Sequence, residues 1–128
     1  MVVAAAKSEL TLLERSFAVV ERLKAELDHK VVTGFAVREQ HANVTTYLPN
    51  EPADAVVFAE CTEDVQAVVR ACADYEVPVI PWGAGTSLEG HVNAPFGGIC
   101  VDLSRMNRII AVNTADLDCV VEPGVTRK

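Results

Sequence analysis

The chain has 128 residues, half of them hydrophobic, with 18 acidic against 11 basic side chains and a formal net charge of −7. That length supports one domain with a genuine core, and the acidic balance excludes a nucleic-acid surface built on clustered Lys and Arg. No run of about 18 apolar residues occurs, so no transmembrane segment is expected.

At the start, Lys7 and Glu9 interrupt any signal-peptide core, and Glu9, Glu14 and Glu21 are out of place in a mitochondrial presequence, so a cytoplasmic location is expected. Residues 8–28 repeat apolar side chains at Leu10, Leu13, Phe17, Val20 and Leu27, with Leu12, Val19 and Leu23 widening the stripe. This spacing predicts an amphipathic helix docked on its own domain. Thr11 and Glu14 suit a capping box, with Ser8 as an alternative cap one turn earlier.

From Val31 to Pro52 the pattern is irregular, with Gly34, Asn43, Pro49, Asn50 and Pro52 as breakers, and reads as a connector. His41 there reads as a solvated or structural histidine. Ala55 to Ala59 predicts a short buried strand. A helix comes next, capped by Thr62, with Glu63 and Asp64 at its positive end and Val65, Val68, Val69, Cys72 and Tyr75 as its buried stripe. Val77 to Ile80 is the second strand of this unit, which makes a right-handed parallel crossover and delivers the chain to a carboxyl edge.

At that edge stands the run Pro81-Trp82-Gly83-Ala84-Gly85-Thr86-Ser87-Leu88-Glu89-Gly90-His91. Gly83, Gly85 and Gly90 allow positive φ and leave room for peptide N–H groups to turn inward, while Thr86 and Ser87 add hydroxyl donors; the stretch suits a diphosphate. Two familiar motifs fail against it. A Walker A reading puts His91 and Val92 where Lys and Ser/Thr are required, and a G-x-G-x-x-G reading puts Leu88 at the third glycine, with Pro95, Gly97 and Gly98 ending any helix. The plain alternative is a surface turn between strands.

Beyond the loop, Ile99 to Leu103, Ile109 to Val112 and Cys119 to Val121 predict three more strands, the last two joined by polar residues 113–118. The class is α+β, with an α/β first half. Cys61, Cys72, Cys100 and Cys119 have no metal-ligand spacing and read as free thiols packed in the core. No metal site and no catalytic constellation is visible; Glu89 and His91 make no base–nucleophile pair with Ser87 already in the phosphate loop.

Residues 78–91 resemble the pyrophosphate loop of FAD-linked oxidases of the p-cresol methylhydroxylase and vanillyl-alcohol oxidase type. Within that family the sequence is most similar to the D-lactate dehydrogenase (cytochrome) and glycolate oxidase branch. Further matches in order and spacing are Val37-Arg38-Glu39-Gln40-His41, Pro52-Ala53-Asp54-Ala55-Val56-Val57, Gly97-Gly98-Ile99-Cys100-Val101-Asp102-Leu103, Met106-Asn107-Arg108-Ile109 and Val121-Glu122-Pro123-Gly124-Val125-Thr126-Arg127. Relatives often carry an acidic residue shortly after the position of His41, whereas Ala42-Asn43-Val44-Thr45 has none.

The resemblance implies residues 1–36 as an N-terminal helix and connector and residues 37–128 as the front of a p-cresol methylhydroxylase-type FAD-binding domain, incomplete at its C-terminus. It implies an oxidoreductase acting on a D-2-hydroxy acid such as D-lactate or glycolate, passing electrons to an acceptor the sequence does not name. Gly83, Ala84, Gly85, Thr86 and Ser87 would hold the pyrophosphate, Leu88 and Gly90 would shape the loop end, and Trp82, His91, Pro123 and Gly124 join them by position. Asp102 stands between a solvated or capping carboxylate and a cofactor contact. Flavin-linked relatives attach the ring through a loop His where this sequence has Thr86, so non-covalent FAD is implied. Catalytic side chains would lie beyond residue 128, so residues 1–128 alone are expected to be inactive, and the full-length enzyme to be cytoplasmic or peripheral to a membrane. Two rival readings are a truncated non-catalytic fragment and a phosphate or nucleotide module without flavin.

Overall fold

The computed structural model describes residues 9–43 and 46–127. Among these residues three α-helices, α1 (Leu12–Leu27), α2 (Phe35–Ala42) and α3 (Thr62–Tyr75), accompany six strands: β1 (Val31–Val32), β2 (Ala55–Phe58), β3 (Val79–Trp82), β4 (Ile99–Asp102), β5 (Ile109–Asn113) and β6 (Asp118–Val121). The α+β expectation holds. β1 to β4 form one sheet in the order β1-β2-β4-β3, and β5 and β6 pair as a separate antiparallel hairpin.

The crossover β2-α3-β3 is parallel as predicted, but its two strands do not touch. β4 lies between them, parallel to both, with Ala55, Ile99 and Val79 in one row and Phe58, Asp102 and Trp82 in another. The reason lies in the residues. β4 is buried along its whole length, as a central strand with both faces covered must be. β3 carries Pro81, which has no N–H to donate and belongs on an edge.

Two cores arise from the alternation of side chains. Ala55, Val57, Ile99 and Val101 face Val19, Val20 and Leu23 of α1 and Val68, Ala71 and Cys72 of α3. On the other face Val56, Ile80 and Cys100 pack with Ala53 and Ala94, with Val37, Phe58 and Trp82 at the margin. Helix α1 opens on the expected capping box, Thr11 and Glu14 each accepting from the other's backbone N–H; the Ser8 alternative lies outside the described residues. Arg15 and Arg22 tie α1 to Glu76 and Asp74 at the end of α3. The stripe is narrower than its periodicity suggests, since Leu13 and Phe17 are exposed.

Several expectations need correction. The stretch 31–52 is not simply a connector: Val31 and Val32 pair antiparallel with Val57 and Val56, and residues 35–42 form α2. Thr62 does not cap α3. Cys61 holds the N-cap position without a side-chain bond, and Asp64 reaches back to accept from the Glu60 N–H at 2.9 Å. Val69 is exposed rather than part of the stripe. Cys72 and Cys100 are core thiols, and burial pushes both up to about 12, with the Asp102 charge adding to the effect at Cys100. Cys61 is only half-buried and Cys119 is exposed.

Asp64 also anchors a charge chain. Lys30 Nζ lies 2.7 Å from Asp64 and 3.4 Å from Glu60, and Arg105 lies 2.9 Å from Glu60. Burial pushes the Asp64 carboxyl up, but hydrogen bonds from Lys30 and the Glu60 N–H outweigh it and hold the group below the usual aspartate value. A lowered folded-state value stabilises the fold above the unfolded value and is lost as pH falls through the folded one. Asp64→Asn is therefore expected to lower the Tm by several degrees at neutral pH and to flatten the loss of stability below about pH 4. Thermal melts across pH check this; an unchanged acid limb would count against it.

Candidate cofactor-binding site

β2, β3 and β4 are parallel, so their carboxyl ends share one edge of the sheet, the edge where α/β sheets hold ligands. The glycine loop leaves β3 there, directly after Trp82. Gly85 and Gly90 take positive φ, 65° and 78°, which an L side chain adopts only under strain; Gly83 does not. The N–H groups of Ala84, Gly85, Thr86 and Ser87 donate to nothing among the described residues. The loop is solvent-facing, with Gly83, Ala84, Thr86, Leu88 and His91 exposed and Gly85, Ser87 and Gly90 half-buried. Free backbone donors on an uncharged, glycine-shaped bend suit the phosphates of a dinucleotide, so the residues present fit FAD.

Below the loop is a feature that no local pattern in the chain suggests. A Cβ on Gly85 would sit 2.9 Å from the Trp82 indole, so the ring lies hard against this glycine. The indole also packs against His41, ring centroids 4.5 Å apart. Of the two readings of His41, solvated or structural, the structural one holds. It is buried at the end of α2, with Nδ1 2.8 Å from the Val37 carbonyl and Nε2 2.8 Å from Asp102 Oδ2. Asp102 is equally buried and is not solvated; its Oδ1 accepts from the Ser104 N–H at 2.7 Å, as a capping carboxylate does. The acid for His41 comes from β4, 61 positions away, and not from the residues just after it in the chain.

The remaining expected site residues fall in two places. Ser87 Oγ contacts His91 Nδ1 on the exposed loop, a pairing not expected from their spacing, and no acid orients His91 among the described residues. Gly124 approaches the turn that leaves β4: its N–H donates to the Met106 carbonyl at 2.8 Å, and a Cβ would collide with the Leu103 carbonyl. With Pro123 beside it, it lies by the carboxyl end of the central strand, and no hydrogen bond links it to the glycine loop among the described residues. A cavity of about 300 Å³ lies elsewhere, between α1 and Thr33, Arg38 and Asp54, and includes none of the loop. Among the described residues no group of side chains could hold a metal ion, and no helix is long and apolar enough to cross a membrane.

A family described as "FAD binding domain" matches residues 53–128, from just before β2 through the glycine loop and the hairpin. The chain is 42% identical over 116 residues to a probable mitochondrial D-lactate dehydrogenase of Danio rerio, covering 87% of this chain and 23% of that protein. It is 38% identical over 110 residues to the mitochondrial D-lactate dehydrogenase (cytochrome) of Arabidopsis thaliana, covering 84% and 19%. The crystal structure of p-cresol methylhydroxylase with substrate bound superposes with a TM-score of 0.76 at 25% identity, covering 93% of this chain and 24% of that one. The chain thus spans about a fifth to a quarter of the length of these proteins. With more than half its residues matched, the chain belongs to the FAD binding domain family.

Proposed function

We propose that the loop 82–91 binds the diphosphate of FAD, and that the protein works on a D-2-hydroxy acid such as D-lactate or glycolate. The observation that carries the first part is the run of unpaired N–H groups from Ala84 to Ser87, on a bend held by positive-φ glycines at the carboxyl edge. In this reading Gly83, Ala84, Gly85, Thr86 and Ser87 hold the phosphates, Leu88 and Gly90 end the loop, and Trp82 is its floor. His91, Pro123 and Gly124 flank it. Residues 37–128 are the front of the flavin domain, preceded by residues 1–36 as helix and connector.

FAD supplies the redox chemistry when bound, accepting a hydride from the α-carbon of the hydroxy acid. What these residues contribute is binding and orientation. Backbone dipoles hold a diphosphate without needing a basic surface, which is why a chain of net charge −7 accommodates it. The D-lactate dehydrogenase relatives favour the substrate class. They are named as mitochondrial. The visible spectrum of the purified intact protein tests the reading. A flavin band that is released on denaturation and bleached by D-lactate or glycolate is expected; a protein that binds nucleotide without the flavin band would replace FAD by another phosphate ligand. Residues 1–128 alone are expected to show no D-lactate-dependent dye reduction above free flavin, since no described residue is placed to take the hydroxyl proton.

The flavin is expected to be held without a covalent bond. Thr86 is a poor partner for attachment to the ring, and the His91 imidazole is engaged with Ser87. Acid precipitation should leave free FAD in the supernatant. Yellow colour retained by the denatured pellet would point instead to His91.

A further inference from the structure

Three observations converge on His41, which neither the glycine loop nor the family match accounts for. First, it is buried, 5% exposed, and its partner Asp102 is 2% exposed. Second, both ring nitrogens face acceptors. The Val37 carbonyl can only accept, and the Asp102 carboxylate already accepts from Ser104 at its other oxygen. Both nitrogens are therefore engaged, and the ring has no rotational freedom. Third, that ring touches Trp82, whose indole lies hard against Gly85.

We propose that His41 is a positioning residue for the cofactor loop: clamped between Val37 and Asp102, it fixes the Trp82 indole under Gly85 and so sets the loop's shape. The inference rests on the reading of the loop as the diphosphate site. The row Phe58, Asp102, Trp82 across three strands explains how the clamp is built, because one register places the acid between the two rings that His41 touches, Phe58 edge-on at 5.6 Å and Trp82 at 4.5 Å. The nearby cations are committed elsewhere. Arg38 donates to the Thr33 and Ala53 carbonyls, and Arg105 pairs with Glu60 while lying over Phe58. Asp102 therefore has His41 as its side-chain partner, and the tilted contact of the imidazole with the indole adds to the packing.

The test separates positioning from plain stability. His41→Gln keeps a donor for Asp102 but removes the ring from Trp82; Val101→Ala, on the opposite face of the same sheet, lowers stability without touching Trp82. Trp82 is the one tryptophan of the sequence, so its emission reports on the clamp directly. Expected are a shift of Trp82 emission in the full chain on His41→Gln but not on Val101→Ala, and FAD bound about tenfold more weakly by the intact His41→Gln protein, the loss of one well-placed contact. In wild type, imidazole nitrogen NMR should show both His41 nitrogens hydrogen-bonded, a measurement that needs no variant to fold. A ring nitrogen free of hydrogen bonding, unmoved emission, or FAD affinity equal in the two variants would overturn the clamp. Should wild type bind no FAD while the emission shift and the doubly hydrogen-bonded ring are both found, the flavin reading fails and the clamp stands.

Discussion

Gly85→Val is expected to weaken FAD binding by about 2 kcal/mol or more, roughly 30-fold in Kd, with little change in the folded core. Two independent costs meet at this position. The backbone sits at φ 65°, where a β-branched residue is strained, and the Cβ would lie 2.9 Å from Trp82 Cζ2 and 3.0 Å from its Nε1. The indole has little room to move, because it is already in contact with His41. The loop must therefore lift, carrying the free N–H groups of Ala84 to Ser87 away from the phosphates. Gly34→Ala, outside the loop, is the matching control: its Cβ meets nothing within 4 Å and its φ is not positive, so affinity should be nearly unchanged. Equal FAD affinity for wild type and Gly85→Val, measured by titration of the apoprotein, would remove the loop from the cofactor site.

Gly98→Ala should cost the fold more than any surface change, about 3 kcal/mol, seen as a large drop in the denaturant midpoint or a failure to fold. Gly98 is buried at the entry to β4 with φ 114°. A Cβ there would stand 2.5 Å from the Pro78 carbonyl oxygen, a backbone atom that also accepts from the Ile99 N–H at 2.9 Å. Relief would mean breaking the first bond between β3 and β4. Asp54 adds to the demand by accepting from the Gly98 N–H at 2.7 Å while its own N–H donates to the Gly98 carbonyl. A midpoint within error of wild type would show that this entry is more pliant than its geometry implies.

Local signals carry the helices, the strands and the loop. The capping box of α1, the apolar runs of β2 and β4 and the glycines at 85 and 90 are each decided by near neighbours in the chain, and periodicity or turn chemistry reads them directly. The features that escape such reading are non-local. His41 and Asp102 are 61 residues apart, and nothing near either one shows that the other completes its hydrogen bonding. Gly97 and Gly98 read as helix breakers, whereas Gly98 is required by the approach of Pro78 from another strand. Helix α2 is hidden for a different reason: it is short, with only His41 and Ala42 buried, so it shows too little apolar periodicity to recognise. Pro81 is the one local clue to strand order, since a proline inside a strand argues for an edge.

The placement of β4 bears on the order in which the protein can be made. It is the central strand of its sheet, yet it comes after β1, β2, α3 and β3 in sequence. A nascent chain that has emerged only to residue 98 holds β2 with β1 on one side and an open edge on the other, and β3 with no partner at all. Neither core can close, because Ile99 and Val101 belong to one and Cys100 to the other. Four residues thus gate the whole assembly, and their pairing with β2 spans more than 40 positions, a separation that slows folding. Ribosome-bound chains should stay protease-sensitive until residue 102 has cleared the exit tunnel and become protected in one step soon after, with the exposed edges of β2 and β3 open to chaperones in the interval.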